Sequence, residues 1–125
     1  MKPNYQISEA ELEVMKVLWD LNEATSAQIV DRLTASSDWK PKTIQTLITR
    51  LAAKKAIRAE NTGAKAFLYQ PNISREEYRI YANNSLLKKL YNGSLNLMLA
   101  SFIKDQKLSP EEIDYLKKLL DEEAK

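Results

Sequence analysis

The stretch Trp39-Lys40-Pro41-Lys42-Thr43-Ile44-Gln45-Thr46-Leu47-Ile48-Thr49-Arg50-Leu51-Ala52-Ala53-Lys54-Lys55-Ala56-Ile57 decides the fold. Pro41 suits the first turn of a helix, where its missing N–H has no partner to lose. Ile44, Leu47, Ile48, Leu51 and Ala52 follow at i, i+3, i+4, i+7 and i+8, the apolar stripe of a helix packed on a core. The opposite face holds Lys42, Thr43, Gln45, Thr46, Thr49 and Arg50. Three threonines there lower helix propensity and gain nothing from burial. A face tuned only for solubility would carry Glu and Lys pairs instead.

Upstream, two shorter helices are expected. Ile7-Ser8-Glu9-Ala10-Glu11-Leu12 is a capping box, with Ser8 as N-cap, Glu11 reaching back and Ile7 against Leu12 as hydrophobic staple. Leu12, Met15, Leu18 and Trp19 give that helix one apolar face, and the polar run Asn22-Glu23-Ala24 ends it. Thr25 and Gln28 cap a second helix with Ile29, Val30 and Leu33 on its buried side, ending at Ser36-Ser37-Asp38.

Downstream of Lys54-Lys55 the period changes to two. Ile57 to Asn61 and Ala66 to Gln70 flank Thr62-Gly63-Ala64-Lys65, which predicts a small β-hairpin closed by Pro71. Phe67 and Tyr69 read as its anchor to the core, and Trp19 and Trp39 as core and helix-junction packing. Ile73 to Tyr78 repeats the staple and box and opens a helix that Asn92-Gly93 stops. Ser94 can cap a helix through Leu95, Met98, Leu99, Phe102 and Ile103, and Leu108 to Ile113 caps a last one with Leu116, Leu119 and Leu120. The fold class expected is mostly α with a small β-hairpin: a winged helix-turn-helix over 1–72 and a three-helix region over 73–125.

Composition narrows the chemistry. With 125 residues, no cysteine and no histidine, the chain lacks disulfides, thiolate or imidazole metal ligands, Cys nucleophiles and any imidazole base. Two glycines, at 63 and 93, leave no room for a Gly-rich phosphate loop. An enzyme, a metal site and a cofactor are therefore not expected. The longest uncharged run, Leu90 to Ile103, has 14 residues against the ~20 a membrane-spanning helix needs. The N-terminus meets acidic residues before any apolar run, unlike a signal peptide, so a cytoplasmic chain without membrane insertion is expected.

The net charge of +2 conceals a strong local asymmetry. Residues 1–39 sum to −4, residues 40–65 to +6 and the remaining 60 to zero. The positive segment holds Lys40, Lys42, Arg50, Lys54, Lys55, Arg58 and Lys65 against Glu60 alone. Such a patch attracts polyanions by long-range field and counterion release. Three helices and a hairpin, with the basic polar face on the third helix, predict a reading helix for the major groove of double-stranded DNA. On it, Lys42, Thr43, Gln45, Thr46 and Arg50 face outward. Short hydroxyls suit phosphates or thymine methyls, and a guanidinium can fork onto guanine. Lys54, Lys55, Arg58 and Lys65 fit phosphate contacts from the helix end and wing. The alternative is a winged helix used for protein–protein interaction, without specific DNA binding.

Past residue 73, Leu86, Leu87, Leu90, Leu95, Leu97, Met98, Leu99, Phe102 and Ile103 offer more apolar surface than so short a segment can hide. A homodimer covers it most simply, through Leu86, Leu90, Leu95, Met98, Leu99, Phe102, Ile103, Leu116 and Leu119, and supplies two reading helices for a palindromic operator.

Four stretches carry a family resemblance: ISEAELEVMKVLWDL, WKPKTIQTLITRLAAKKAI, FLYQPNIS and LYNGSLNLMLASFIKDQKLSPEEIDYLKKLL. Taken together, nearly the whole chain resembles the penicillinase-repressor family of BlaI/MecI type, winged-helix regulators of antibiotic resistance. The resemblance implies a homodimeric repressor of palindromic operators of TACA/TGTA character, with contacts at Lys42, Thr43, Thr46 and Arg50. It also implies inactivation by a membrane-bound sensor protease cutting an Asn-Phe bond in the dimerisation region. The matching bond here is Ser101-Phe102. Copper sensing, which a sister branch performs through a cysteine motif, is excluded. Two local departures are Lys40 in place of a Ser N-cap and Ala56 where a helix-ending Gly is usual.

Overall fold

The computed structural model describes residues 3–63, 66–105 and 108–124. The elements are α1 (Glu9–Leu21), β1 (Ala24–Thr25), α2 (Ser26–Ser36), α3 (Pro41–Ala53), β2 (Ile57–Asn61), β3 (Phe67–Pro71), α4 (Arg75–Tyr91), α5 (Leu95–Asp105) and α6 (Pro110–Glu123). By its contacts the chain divides into two compact units, Met1–Tyr81 and Ala82–Lys125.

In the first unit α1, α2 and α3 enclose a core of Val14, Met15, Val17, Leu18, Ile29, Leu33, Ile44, Leu47, Ile48 and Leu51, to which Ala24, Ala56, Ile57 and Ile73 add from the sheet side. The capping boxes at Ser8/Glu11 and Thr25/Gln28 form reciprocally, each satisfying the backbone N–H of the N-cap residue and of the residue three on. The buried side of α1 centres on Val14 to Leu18, so Leu12 is only half-buried. The sheet is antiparallel in the order β1-β3-β2, with Ala24 opposite Tyr69. The two-residue β1, an addition to the expected hairpin, is too short for a period-2 pattern to reveal.

The first unit reaches Tyr81, nine residues beyond the boundary expected at 72. The first turns of α4 pack back onto the helices. Tyr78 lies against Trp19 at 6.0 Å between ring centroids, and Tyr81 stacks on Tyr5 at 5.3 Å. Trp19 Nε1 donates to the Ile73 carbonyl at 2.8 Å. Asp20 joins two arginines, Arg75 of α4 at 2.8 Å and Arg32 of α2 at 3.5 Å.

The second unit contains the rest of α4, with α5 and α6. Asn92 (φ 50°) and Gly93 (φ 83°) stop α4 in the left-handed region that glycine enters without strain. Ser94 Oγ accepts from the Leu97 N–H at 3.2 Å to start α5, and Ser109 with Glu112 closes the box that starts α6. None of these three helices fully buries a described side chain. Leu86, Leu90, Leu95, Phe102, Ile103 and Leu119 are exposed, and Met98, Leu99 and Leu116 half-buried. No helix among the described residues is long and apolar enough to cross a membrane.

Candidate nucleic-acid interface

Helix α3 is buried on Ile44, Leu47, Ile48 and Leu51, and that fixes what its other side presents. Lys42, Thr43, Gln45, Thr46, Thr49 and Arg50 are all exposed. At 100° per residue they span an arc of about 160°. No carboxylate occurs between Asp38 and Glu60, so neither α3 nor its flanks weaken the positive field. Among the described residues the Lys42, Arg50 and Lys55 side chains form no ion pair.

The threonines are more specific than their sequence suggested. Thr46 Oγ1 donates to the Lys42 carbonyl at 3.1 Å, and Thr49 Oγ1 to the Gln45 carbonyl at 3.0 Å. Each hydroxyl proton is thus engaged within the helix. What remains for a partner is a methyl group and oxygen lone pairs, which suit a thymine methyl or a base N–H better than a phosphate.

At its start α3 has no side-chain cap, because Lys40 replaces a capping hydroxyl. At its end, the Lys54 N–H donates to Arg50 O at 3.0 Å, Lys55 to Ala52 O at 3.1 Å and Ala56 to Leu51 O at 3.0 Å. Lys55 takes the left-handed conformation there, with φ 65°. The position that favours glycine is therefore Lys55, not Ala56, which is fully buried.

Lys54, expected at a phosphate, is engaged within the head. Its Nζ donates to Glu11 Oε1 at 2.6 Å and to the Gln6 carbonyl at 2.8 Å. Glu11 is only 3% exposed and also accepts from the Ser8 N–H at 2.8 Å. Burial pushes the Glu11 carboxyl up, but hydrogen bonds from Lys54 and Ser8 and the Lys54 charge outweigh it and hold the group below its ordinary value. The pair was not legible beforehand because a capping-box glutamate ordinarily faces water.

On the wing, Arg58 Nη1 donates to Asn72 Oδ1 at 2.6 Å and to the Pro71 carbonyl at 3.3 Å, while Asn72 Nδ2 donates to Lys55 O at 3.0 Å. Arg58 remains exposed with further N–H donors available. Lys65 lies outside the described residues. Tyr69 packs against the core as expected, but Phe67 does not; it is 52% exposed. Trp19 and Trp39 are half-buried against the core, in line with a packing role.

A three-helix head with a small sheet and a basic, threonine-lined third helix defines a winged-helix DNA-binding architecture. The family model described as "Penicillinase repressor" matches residues 7–122. The penicillinase repressor of Bacillus licheniformis is 42% identical over 98% of this chain and 94% of its own length. The methicillin resistance regulatory protein MecI of Staphylococcus aureus (strain N315) is 34% identical over 93% and 94%. The solved DNA-binding domain of the repressor BlaI superposes with a TM-score of 0.56 at 44% identity, over 62% of this chain and 94% of that one. Monomeric BlaI from the same Bacillus, in complex with the blaP half-operator, gives 0.53 at 44% identity over 58% and 88%. The chain belongs to the penicillinase repressor family, a family of repressors rather than enzymes.

Proposed function

We propose that this chain is a homodimeric, cytoplasmic transcriptional repressor that binds a palindromic operator, with α3 in the major groove and the wing along the backbone. The observation that supports it most is the outward face of α3: exposed Lys42, Thr43, Gln45, Thr46 and Arg50, opposite a buried stripe and without a carboxylate. Arg50 forks onto a guanine, Thr43 and Thr46 meet base edges, and Lys42, Lys55 and Arg58 contact phosphates. Lys54 holds α1 to the end of α3 and so positions the reading helix without touching DNA.

In this reading two copies join through the apolar faces of α4, α5 and α6, which two reading heads require for a two-fold site. The switch is proteolysis at Ser101-Phe102 by a membrane-bound sensor protease. That bond lies within α5, and a peptide in helical conformation must open locally before a protease can cut it.

Affinity measured on operator and scrambled duplexes at several salt concentrations tests the reading. Arg50→Ala is expected to lose about 1–3 kcal/mol on the operator and little on scrambled DNA. Lys55→Ala is expected to weaken both alike and lower the salt slope by about one unit. Equal losses on the two duplexes for Arg50→Ala would remove its base-reading role.

A further inference from the structure

Ahead of α1 the chain runs as a short strap, Asn4-Tyr5-Gln6, pinned on both sides of Tyr5 to the end of α3. The Asn4 N–H donates to the Lys54 carbonyl at 2.9 Å, and Lys54 Nζ donates to the Gln6 carbonyl at 2.8 Å. Asn4 Oδ1 accepts from the Gln6 N–H at 2.8 Å, an Asx turn that shapes the three residues from within. A segment outside helix and sheet has no ladder of its own, so its backbone groups depend on such partners. Here the partner is Lys54, the C-cap of α3.

Tyr5 carries the strap to α4. Its ring stacks on Tyr81 with 26° between the planes, and its hydroxyl donates to Glu77 Oε2 at 3.1 Å. Glu77 and Tyr81 are four residues apart, so the ring and the hydroxyl grip one face of the helix. The contacts from α1 end earlier along α4. Asp20 binds Arg75, the Arg75 guanidinium lies 5.7 Å over the Trp19 ring, and Trp19 packs against Tyr78. Tyr81, the last residue of the head, is reached instead by Tyr5, with Tyr78 of its own helix beside it at 6.2 Å. A stacked ring with a hydrogen bond at its tip leaves little freedom to the helix it holds.

We infer that Tyr5 is a positioning residue for two-fold operator recognition: it ties the start of α4 to the end of the reading helix, so that joined heads accept only a narrow range of half-site separations. This rests on the dimeric DNA-binding reading above. Whatever joins two copies beyond residue 81 is attached to the head through these turns, because the helix is continuous from Arg75 to Tyr91. Each base pair added between half-sites turns one of them by about 35° around the DNA axis and moves it by about 3.4 Å. A stiff link cannot follow that displacement, and avidity is lost where geometry forbids both heads from binding at once. A link loosened at Tyr81 can follow it. Tyr5 touches no DNA in this account, and a single head reads its half-site without it.

The test uses the full chain on synthetic duplexes that carry one TACA/TGTA half-site, or two inverted half-sites at separations stepped by single base pairs. Wild type is expected to bind the best separation about 10²-fold tighter than the single half-site, and to lose about 10-fold or more when that separation changes by two base pairs. Tyr5→Ala is expected to bind the single half-site within about twofold of wild type, and to lose less than about threefold at the same displaced separations. Tyr81→Ala should flatten the profile likewise, whereas Tyr5→Phe, which keeps the stack, should keep the wild-type profile. A Tyr5→Ala profile as steep as that of wild type overturns the inference while leaving the dimeric reading intact. So does a loss of equal size on the single half-site and at every separation, which would confine Tyr5 to the stability of the head. A wild-type chain that gains nothing from a second half-site overturns both.

Discussion

Replacing Lys54 by alanine distinguishes a structural lysine from a phosphate contact. The substitution removes two hydrogen bonds, at 2.6 and 2.8 Å, and leaves the Glu11 carboxylate, 3% exposed, with its Ser8 partner but no cation. Breaking a fully buried pair costs about 3–5 kcal/mol. Lys54 is 28% exposed at its side chain, so water can reach the vacated site and the low end, about 3 kcal/mol, applies. For a head of this size that corresponds to a fall in Tm on the order of 12–24 °C. Trp19 and Trp39 both belong to the first unit, so tryptophan fluorescence follows its unfolding. The pH dependence has a defined sign. A carboxyl whose pKa is lowered by folding adds stability that is full above the unfolded value of about 4.3 and is lost as pH falls through the folded value. Glu11→Gln should therefore flatten that acid limb of the wild-type stability curve. If Lys54→Ala melted within about 2 °C of wild type while its salt slope for DNA fell by about one unit, Lys54 would be a phosphate contact and the buried pair would have no energetic weight.

Thr46→Val keeps the outward methyl and removes a hydroxyl whose proton is already engaged by Lys42 O, so operator affinity should fall less than about threefold. Thr46→Ser, which discards the methyl, should lose more, as should a duplex with uracil for the contacted thymine; the opposite order would assign Thr46 to a phosphate. A chain truncated after Ser101 lacks the last turn of α5 and all of α6, and sedimentation should show it monomeric with operator affinity reduced about 10²–10⁴-fold. Retained dimerisation and unchanged affinity would remove cleavage at Ser101-Phe102 as the switch.

What the sequence disclosed were features set by local chemistry and period. The boxes at Ser8, Thr25 and Ser109 and the stop at Asn92-Gly93 depend on residues within one turn of each other. The stripe through Ile44, Leu47, Ile48 and Leu51 is a property of helix period alone, and it assigned the outward residues of α3 by complement. What was hidden depended on distant partners. Lys54 resembles any basic residue at a helix end until Glu11, 43 positions away, is seen beneath it. Phe67 alternates with Tyr69 as an inward strand residue should, but no sequence pattern shows where the core beneath a hairpin ends. The junction between units escaped for the same reason: one continuous helix, Arg75–Tyr91, begins as part of the head through Tyr78 and Tyr81.

The withdrawal of Lys54 also bears on why a switch would act on dimerisation rather than on the DNA-reading face. Several charged side chains of the head are already partnered: Glu11 with Lys54, Asp20 with Arg32 and Arg75, Glu60 with Gln70, Arg58 with Asn72. If Arg50 reads a base, the described cations proposed for phosphates are Lys42, Lys55 and Arg58, all exposed. Three phosphate contacts give a slope of log affinity against log salt of about −2.7, and two joined heads about −5.4. Between 50 and 200 mM salt a single head would then lose about 40-fold and a joined pair about 1,800-fold. In the proposed dimer the second head, bound at high effective concentration, adds affinity that one head lacks. Uncoupling the heads of that proposed dimer would release the operator without altering any residue of the reading face. In the proposed dimer the apolar faces of α4, α5 and α6, which the single chain leaves largely exposed, would be where the least chemistry produces the largest change in occupancy.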